Sequence, residues 1–358
     1  TSVTFEADSQ LTTISPAAFY VATSLTSIII PQGVTTIGQN AFNSATSLTS
    51  ITIPQGVTTI GTSAFYNTTS LASVTLEADE MYRSALTSIG PGVFQNTTSL
   101  TSITIPRNVI TMGYYTFGAG SLTQVIMPYT RLGQSYWPTS QSTSQVIGNK
   151  SGVTCIAYDI ITGTGSLTSS TISSKYGKIS IIEGFSSIAA SAFHSNQLRI
   201  KIVIGKSVTS IGTSAFHDNN SLESVIFEEG SLLTSIGSQA FYHCDILTSI
   251  TIPKGVSSIG TYAFQYCLQL ASVTFEADSQ LTTIGSSAFA NSNLTSITIP
   301  KGVTTIGQSV FSYTPILTTV TFEADSSLNS IGNNAFYQCS KLISITIPKG
   351  VTTIGTSA

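Results

Sequence analysis

The chain has 358 residues, of which only 8% are charged, and its formal net charge at pH 7 is −3. Ordinary soluble proteins carry roughly 25% charged residues; here Ser and Thr fill the polar positions instead. The lysines are spread singly along the chain, which excludes a basic stripe for nucleic acid. Mean hydropathy is +0.30, yet no apolar run approaches the ~18 residues of a membrane helix. We therefore predict no nucleic-acid binding and no membrane insertion.

One phrase recurs about eleven times between Phe19 and Phe336, approximately L-T-S-I-T-I-P-K-G-V-T-T-I-G-x-x-A-F. Two neighbouring copies, residues 25–47 and 48–70, have 23 residues each. A fixed period in this range is typical of a solenoid, because a single repeat cannot bury its own apolar face and must stack on its neighbours. The sequence therefore predicts a repeat solenoid.

Each copy predicts the same series of elements. In the second copy, Ile51 and Ile53 alternate with polar residues, as in a strand with one buried face. Pro54 has no N–H to donate to a ladder, so the strand ends there. A second short extended segment follows at 57–60, and one helical or 3-10 turn brings Phe65 into the core. Strands in such a stack repeat about 4.8 Å apart, so the Phe side chains are expected to form a ladder.

Two kinds of copy tend to alternate. One kind ends its strand in Pro-Gln/Lys-Gly, as at 54–56, 253–255 and 300–302. The other kind ends in Glu-Ala-Asp, at 6–8, 77–79, 276–278 and 323–325. We call each successive turn of the predicted solenoid a rung. We interpret the acidic tripeptides as one side of an edge of alternating charge, with lysines on the intervening rungs. A calcium site is the alternative, but one Glu-x-Asp supplies too few of the six or more oxygens that calcium takes.

The middle of the chain departs from the repeat. No full copy lies between Phe117 and Phe193, so we predict repeat blocks at 1–132 and 179–358 and an irregular junction at 133–178, which contains Trp137. Because the chain lacks an initiating Met and stops one residue before a repeat Phe, we expect it to be a piece of a longer array.

The cysteines and histidines do not form a recognisable catalytic pattern. Cys244, Cys267 and Cys339 each follow a repeat Phe by three residues, which favours a small buried spacer; a disulfide between the first two remains open. No C-x-x-C or His/Cys spacing supports zinc. The three histidines, His194, His217 and His243, occupy surface positions of the repeat. We therefore predict no catalytic residues, no metal, no cofactor and no enzyme activity.

The strand hydroxyls are the candidate binding residues. They form one extended row: Ser50, Thr52, Ser73, Thr75, Ser102, Thr104, Ser249, Thr251, Ser272, Thr274, Ser296, Thr298, Thr319 and Thr321. Two interpretations of this row are open. It is a binding surface, or it recurs only because Ser and Thr are polar residues that are compatible with β-strands. Five Asn-x-Ser/Thr sequences are possible glycan acceptors in a secreted eukaryotic protein: Asn67, Asn96, Asn149, Asn219 and Asn293.

The phrase L-x-x-I-x-I, followed by I-P-x-G-V-x-x-I-G-x-x-A-F-x-x-C, resembles the BspA-type leucine-rich repeat family over about 1–132 and 179–358. The resemblance implies a leucine-rich repeat solenoid, mainly β with short 3-10 or helical turns and a parallel β-sheet on its concave face. It also implies a microbial surface or secreted protein, several relatives being implicated in adhesion.

From this resemblance we predict an extracellular or cell-surface module for adhesion or protein or glycan binding. One alternative is a structural subunit of an extracellular filament or surface layer, in which copies of the chain assemble through uncapped ends. A weaker alternative is ice or crystal binding through the Thr rows.

Overall fold

The computed structural model describes residues 1–118, 120–128, 154–172, 178–197 and 199–358. They divide into two compact units, Thr1–Asp159 and Ile160–Ala358. Each unit is a stack of parallel strands, and the one helix among the described residues is a single 3-10 turn, Ser169–Thr171. The predicted class, a mainly β repeat solenoid with parallel sheets, is confirmed. None of the described segments is a helix with the length and apolar character that a bilayer crossing requires.

The strand bounds are as follows. The strands up to Thr162 are β1 (Ser2–Val3), β2 (Thr13–Ile14), β3 (Ser27–Ile28), β4 (Thr36–Ile37), β5 (Ser50–Ile53), β6 (Thr59–Ile60), β7 (Ser73–Leu76), β8 (Ser88–Ile89), β9 (Ser102–Thr104), β10 (Thr111–Met112), β11 (Gln124–Pro128) and β12 (Thr154–Thr162). The later strands are β13 (Ser166–Leu167), β14 (Ile179–Glu183), β15 (Ser187–Ile188), β16 (Lys201–Ile204), β17 (Ser210–Ile211), β18 (Ser224–Phe227), β19 (Ser235–Ile236), β20 (Ser249–Ile252), β21 (Ser258–Ile259), β22 (Ser272–Phe275), β23 (Thr283–Ile284), β24 (Ser296–Ile299), β25 (Thr305–Ile306), β26 (Thr319–Phe322), β27 (Ser330–Ile331) and β28 (Thr353–Ile354).

Most rungs contribute one long and one short strand. In long strand β5, Ile51 and Ile53 are buried while the two polar residues are exposed, and Pro54 follows the last strand residue, as predicted. The short strand of the same rung, β6, covers only two residues of the predicted extended segment. Short strands stack in register, Thr36 beside Thr59 for example, and form one five-stranded and one nine-stranded sheet.

The core is built on the predicted Phe ladder. Within the first unit, five Phe rings stack nearly parallel from Phe19 to Phe117, with centroids 5.1–5.6 Å apart. Within the second unit, seven rings stack from Phe193 to Phe336 at 4.9–5.8 Å. Most of these rings are fully buried. Burial of a large aromatic side chain on every rung explains how units with so few charges and so many hydroxyls remain folded.

The turns around the Phe residues differ from the predicted helical or 3-10 form. Ser63 and Asn67, on either side of Phe65, have φ of +52° and +57°, which no right-handed helix allows. Phe65 N–H donates to the Val93 carbonyl of the next rung, whereas Ala64 N–H closes a local turn onto Gly61. Alternate amides therefore bond within the rung and between rungs, and the turns form a further ladder along the stack.

Close stacking also requires glycine at the I-G position. A Cβ on Gly61 would lie 2.6 Å from the backbone nitrogen of Gln39 on the preceding rung. A side chain there would push the two rungs apart.

The junction is only partly described. The nine-residue strand β12 lies in the segment predicted as an irregular junction, and β11 pairs with it in parallel. Within the predicted junction, β13 also pairs with β15, so the stacking of short strands already includes Ser166. Trp137 lies outside the described residues, and the boundaries at 132 and 179 stay predictions.

Candidate binding face

The fourteen predicted hydroxyl residues lie on the long strands, and all are exposed except the half-buried Thr104. Because side chains alternate along a strand, the hydroxyls face solvent wherever the intervening Ile or Val enters the core. We call this set of fourteen residues the long-strand face. Its position is therefore determined by the same alternation that builds the core.

Most hydroxyls of the long-strand face have no hydrogen-bond partner among the described residues. In the first unit this is true of all six: Ser50, Thr52, Ser73, Thr75, Ser102 and Thr104. In the second unit, Thr251 and Thr274 bond to each other at 2.9 Å, and the equivalent pair Thr298 and Thr321 at 2.8 Å. The face thus offers donors and acceptors that the fold itself does not use.

A second set of hydroxyls is used by the fold. Thr58 Oγ1 donates to the carbonyl of Thr35 on the preceding rung at 3.1 Å, and Thr87 Oγ1 donates to that of Thr58 at 3.2 Å. Equivalent bonds in the second unit run from Thr209, Thr234, Ser257 and Thr282 to the rung before each. These residues immediately precede the short strands, and we call them the hydroxyl ladder. Their hydroxyls cross-link neighbouring rungs.

The long strands pair in a pattern set by rung length. Four pairs whose first residues lie 23 positions apart match residue for residue: Ser50 with Ser73, Lys201 with Ser224, Ser249 with Ser272, and Ser296 with Thr319. After the second strand of each pair, the next rung begins 24 to 29 positions later. There the ladder is broken, or is reduced to the single pair Ser272 and Ser296. The pattern is not general: the 23-residue step from β3 to β5 lacks a ladder, whereas the 22-residue steps from β9 to β11 and from β14 to β16 carry one, so β16 pairs on both sides.

A glutamate connects the two strands of each of these four pairs. Glu77 Oε2 accepts the backbone N–H of Gln55 at 3.2 Å, and Glu276 Oε2 accepts that of Lys254 at 3.0 Å. Glu228 and Glu323 accept the N–H of Lys206 and Lys301 in the same way. We call this bond the glutamate clasp. Three of the four acidic tripeptides, at 77–79, 276–278 and 323–325, therefore bind backbone directly through their first carboxylate, and the edge of alternating charge stays a prediction.

Shallow depressions lie where the long-strand ladder is broken. One of about 220 Å³ lies between β7 and β9 and is lined by Ser73, Thr75, Ser102, Thr104 and Gln124. Another of about 610 Å³ lies beside β26, between Thr319 or Thr321 and the segment 344–349. Both combine hydroxyls of the long-strand face with apolar strand residues. In these two depressions a ligand can contact several such groups at once.

The three described cysteines are free and buried, as the spacer interpretation predicted. Their thiols donate to the Phe carbonyl of the preceding rung, Cys244 to Phe216 at 3.2 Å and Cys267 to Phe241 at 3.1 Å. Burial raises the pKa of the Cys339 thiol to about 11 and raises the pKa of Cys244 and Cys267 further. The thiols therefore stay protonated and unreactive near neutral pH.

The possible glycan acceptors differ in exposure. Asn293 is exposed, and Asn67 and Asn96 are half-buried with left-handed backbones. Asn219 is fully buried and its amide donates to the Phe193 carbonyl at 2.6 Å, so a glycan there would require local opening. Asn149 lies outside the described residues. Glycosylation at the first three stays a proposal.

The sequence interpretation missed one grouping of side chains. The histidines lie on the turns after the repeat Phe residues, where His194 is exposed and His217 and His243 are half-buried. Two of them, His194 and His217, share a repeat position on adjacent rungs and meet Asp218. The sequence could have predicted this proximity, because residues at the same repeat position on adjacent rungs lie side by side.

Comparison with known proteins identifies the repeat. A family model described as "BspA type Leucine rich repeat region" matches residues 1–82, 79–181, 186–318 and 270–358, with six copies. No curated protein matches the chain significantly.

Three solved structures illustrate the similarity. A leucine-rich repeat protein from T. pallidum is 24% identical over an alignment that covers 46% of this chain and 78% of that protein, with a TM-score of 0.42. A leucine-rich cell surface protein from Faecalibacterium prausnitzii is 25% identical over 90% of this chain and 73% of its own, with a TM-score of 0.32. A leucine-rich repeat protein from Eubacterium ventriosum is 23% identical over 99% and 88%, with a TM-score of 0.39.

Proposed function

The chain belongs to the BspA-type leucine-rich repeat family, and from that premise we propose that it is a non-catalytic binding module of the cell surface or extracellular space. Its long-strand face contacts a protein or glycan ligand. Family membership supports the surface location, and staining of intact, unpermeabilised cells with an antibody to residues 1–358 tests it. Staining that appears only after permeabilisation would contradict this location.

The unused hydroxyls carry the binding proposal. Hydroxyls that cross-link rungs have a structural reason to be present, but Ser50, Thr52, Ser73 and Thr75 have no partner of that kind. Each presents a donor and an acceptor at a position fixed by the strands. Sugars and peptide backbones offer complementary groups, so several weak hydrogen bonds formed together give specific contact.

The depression between β7 and β9 is the proposed centre of contact in the first unit. It adds the Gln124 side chain and the flanks of apolar strand residues to four hydroxyls. Binding sites usually combine apolar area with a few fixed polar groups in a concave surface. The flat parts of the face lack the aromatic or Arg anchors of strong protein interfaces, so we expect modest affinity from one site and stronger attachment from several.

The proposal that the module is non-catalytic is supported by the distribution of titratable groups. The three histidines lie on the turns after the Phe residues, whereas the free hydroxyls lie on the long strands. A hydroxyl nucleophile needs a base within hydrogen-bond reach. Turnover of a glycan or peptide that is abolished by one histidine substitution would contradict the proposal.

A matched pair of variants tests the binding face. The chain is applied to a glycan array and to a panel of purified extracellular proteins. The double variant Ser73→Lys and Ser102→Lys places two charges in the depression, and the control Gln39→Lys and Thr62→Lys places two charges on exposed turn positions. We expect the first variant to weaken binding of any ligand found by at least tenfold and the control to retain it. Equal binding by both variants, or no ligand in either panel, would contradict the proposal.

A second proposal is a subunit that assembles end to end through the apolar rung at 336–358. Ile343 and Ile354 are 92% and 60% exposed there, beside a depression of about 470 Å³. Further repeats of the natural chain would cover this surface equally well. Sedimentation of the natural full-length protein therefore decides the point: polymers that grow with concentration support assembly, and a monomer at high concentration contradicts it.

The third alternative, binding to ice or a crystal through the Thr rows, is not favoured. The breaks in the long-strand ladder make the Thr rows uneven, whereas a crystal lattice has a regular spacing.

A further inference from the structure

The turns after Phe193 and Phe216 bring two imidazoles and one carboxylate together. His194 and His217 occupy the same position on adjacent rungs, and their ring centroids are 4.8 Å apart. The rungs are held in register by backbone hydrogen bonds on each side, Phe193 N–H to Ala215 and Ser195 N–H to His217. The juxtaposition of the two rings is therefore a property of the ladder.

Asp218 completes the group. Its backbone is left-handed, with φ of +57°, and its Oδ2 lies 3.1 Å from Nδ1 of His217 and 3.8 Å from Nε2 of His194. One ligand atom from each of the three residues lies within 4.8 Å of the others. A metal bonded at 2.0–2.2 Å to nitrogen and oxygen ligands needs separations of no more than about 4.2 Å. A small rotation of the exposed His194 supplies the difference.

The geometry of His217 distinguishes this group from an ordinary ion pair. Nδ1 of His217 is buried and has no hydrogen bond among the described residues, although the Asp218 carboxylate is only 3.1 Å away. The two groups are close without being aligned for a hydrogen bond. The other side of the ring stacks on Tyr242, with centroids 4.7 Å apart, and this contact fixes its orientation.

We propose that His194, His217 and Asp218 bind one divalent transition-metal ion of the zinc type on the turn surface of the second unit. Two imidazoles and one carboxylate suit zinc, cobalt, nickel or copper, whereas calcium and magnesium prefer oxygen ligands throughout. Since His194 is exposed, the remaining coordination positions face solvent and accept water or a group from another molecule. The ion joins two adjacent rungs and has no part in the long-strand face.

The next rung supplies a matched control. His243 Nδ1 lies 3.1 Å from Asp245 Oδ1, the same separation as in the proposed site, but no second imidazole joins that pair among the described residues. His243 has a left-handed φ of +55°, which Asn adopts readily. His243→Asn therefore removes an imidazole beside a carboxylate and leaves the proposed site complete.

The test is a zinc titration of the chain without a polyhistidine tag, by calorimetry. We expect one Zn²⁺ per chain. His194→Gln and Asp218→Asn should each weaken binding at least tenfold, and His243→Asn should leave it unchanged. Asn at position 218 keeps the left-handed backbone, and circular dichroism of each variant verifies that it is folded.

Cobalt gives a second readout. The visible d–d spectrum of the Co²⁺ complex should indicate nitrogen and oxygen ligands without the intense bands of thiolate ligation, because the described cysteines are buried. Absence of zinc binding, binding that survives both site substitutions, binding lost equally in His243→Asn, or thiolate bands would each overturn the proposal.

Discussion

The long-strand face and the hydroxyl ladder are equally rich in Ser and Thr, yet they use these residues differently. In the ladder, the hydroxyl of Thr58 donates to the preceding rung and that of Thr87 continues the series. On the long-strand face, the hydroxyls of Ser50 and Thr52 make no such bond among the described residues. The same composition therefore serves cohesion on one surface and leaves hydrogen-bonding capacity free on the other.

This comparison shows why composition alone does not identify a binding surface in a repeat protein. When polar residues recur at one repeat position and bond from rung to rung, those hydrogen bonds are sufficient to explain why they recur. Only the polar residues without such a bond need another explanation. Four experiments, in order of decreasing expected effect, test the distinction.

A substitution in the core beneath both surfaces should lower the free energy of unfolding the most. Phe264→Ala removes a fully buried ring stacked between Phe241 and Phe289, and it should lower the free energy of unfolding by about 3–5 kcal/mol. Urea unfolding measures the loss. Reductant is the control: since the three described cysteines are free, it should leave the wild-type melting temperature unchanged. A loss of many degrees on reduction would contradict a stack held by Phe.

Varying the pH should act on the buried thiols and leave the hydroxyls of both surfaces unchanged. Burial raises the pKa of Cys339 to about 11, whereas in the unfolded chain it is near 8.5. The unfolded state therefore loses its thiol proton first, so this contribution to stability is complete below pH 8.5 and disappears as the pH rises to 11. The loss is up to about 3 kcal/mol.

Cys339→Thr provides the comparison for this pH effect. Thr68 and Thr314 occupy the equivalent turn position and are fully buried, and a Thr hydroxyl does not titrate in this range. Between pH 8 and pH 10 the unfolding free energy of the wild type should fall more than that of the variant. A constant difference would show that Cys339 contributes nothing to the pH dependence.

Removal of hydroxyls from the hydroxyl ladder should lower the free energy of unfolding by an intermediate amount. The triple variant Thr35→Val, Thr58→Val and Thr87→Val keeps the β-branched shape and removes three hydrogen bonds between rungs. Because these bonds are exposed, we expect about 2 kcal/mol in total, the lower part of the range for such bonds. Chemical denaturation at neutral pH measures the change. An unchanged midpoint would mean that the ladder bonds add no net stability.

The long-strand face should give the smallest effect on stability. Ser50→Ala, Thr52→Val and Thr75→Val remove the same number of hydroxyls, but these have no partner in the described fold. We expect the unfolding free energy to change by less than about 0.5 kcal/mol, as measured in parallel with the ladder variant. A loss as large as that of the ladder variant would remove the distinction between the two surfaces.

Much of the fold could be predicted because its causes lie within one repeat. The alternation around Ile51, the strand end at Pro54 and the recurring Phe each follow from residue properties that act locally. The turns could not be predicted in the same way. The left-handed backbones of Ser63 and Asn67 accompany N–H bonds to the next rung, and a single copy contains no information about its neighbour.

The candidate sites were less predictable for a related reason. The hydroxyl row was visible in the sequence, but which hydroxyls are already bonded depends on the distance between rungs. The glutamate clasp joins Glu276 to a backbone N–H 22 residues earlier, a contact that no local pattern indicates. His194 and His217 were each interpreted as single surface residues, although their shared repeat position placed them side by side.

The pairing of long strands in twos at β20–β22 and β24–β26 has a consequence for anyone who wishes to change the length of this part of the array. A cut between β20 and β22 would divide a four-residue ladder and leave Glu276 without its N–H donor, whereas a cut between β22 and β24 crosses a single residue pair. The natural cassette for grafting, deletion or duplication is therefore two rungs: one with Pro-Lys-Gly followed by one with Glu-Ala-Asp. Libraries assembled from such cassettes should retain soluble, cooperatively folded members more often than libraries assembled from single rungs.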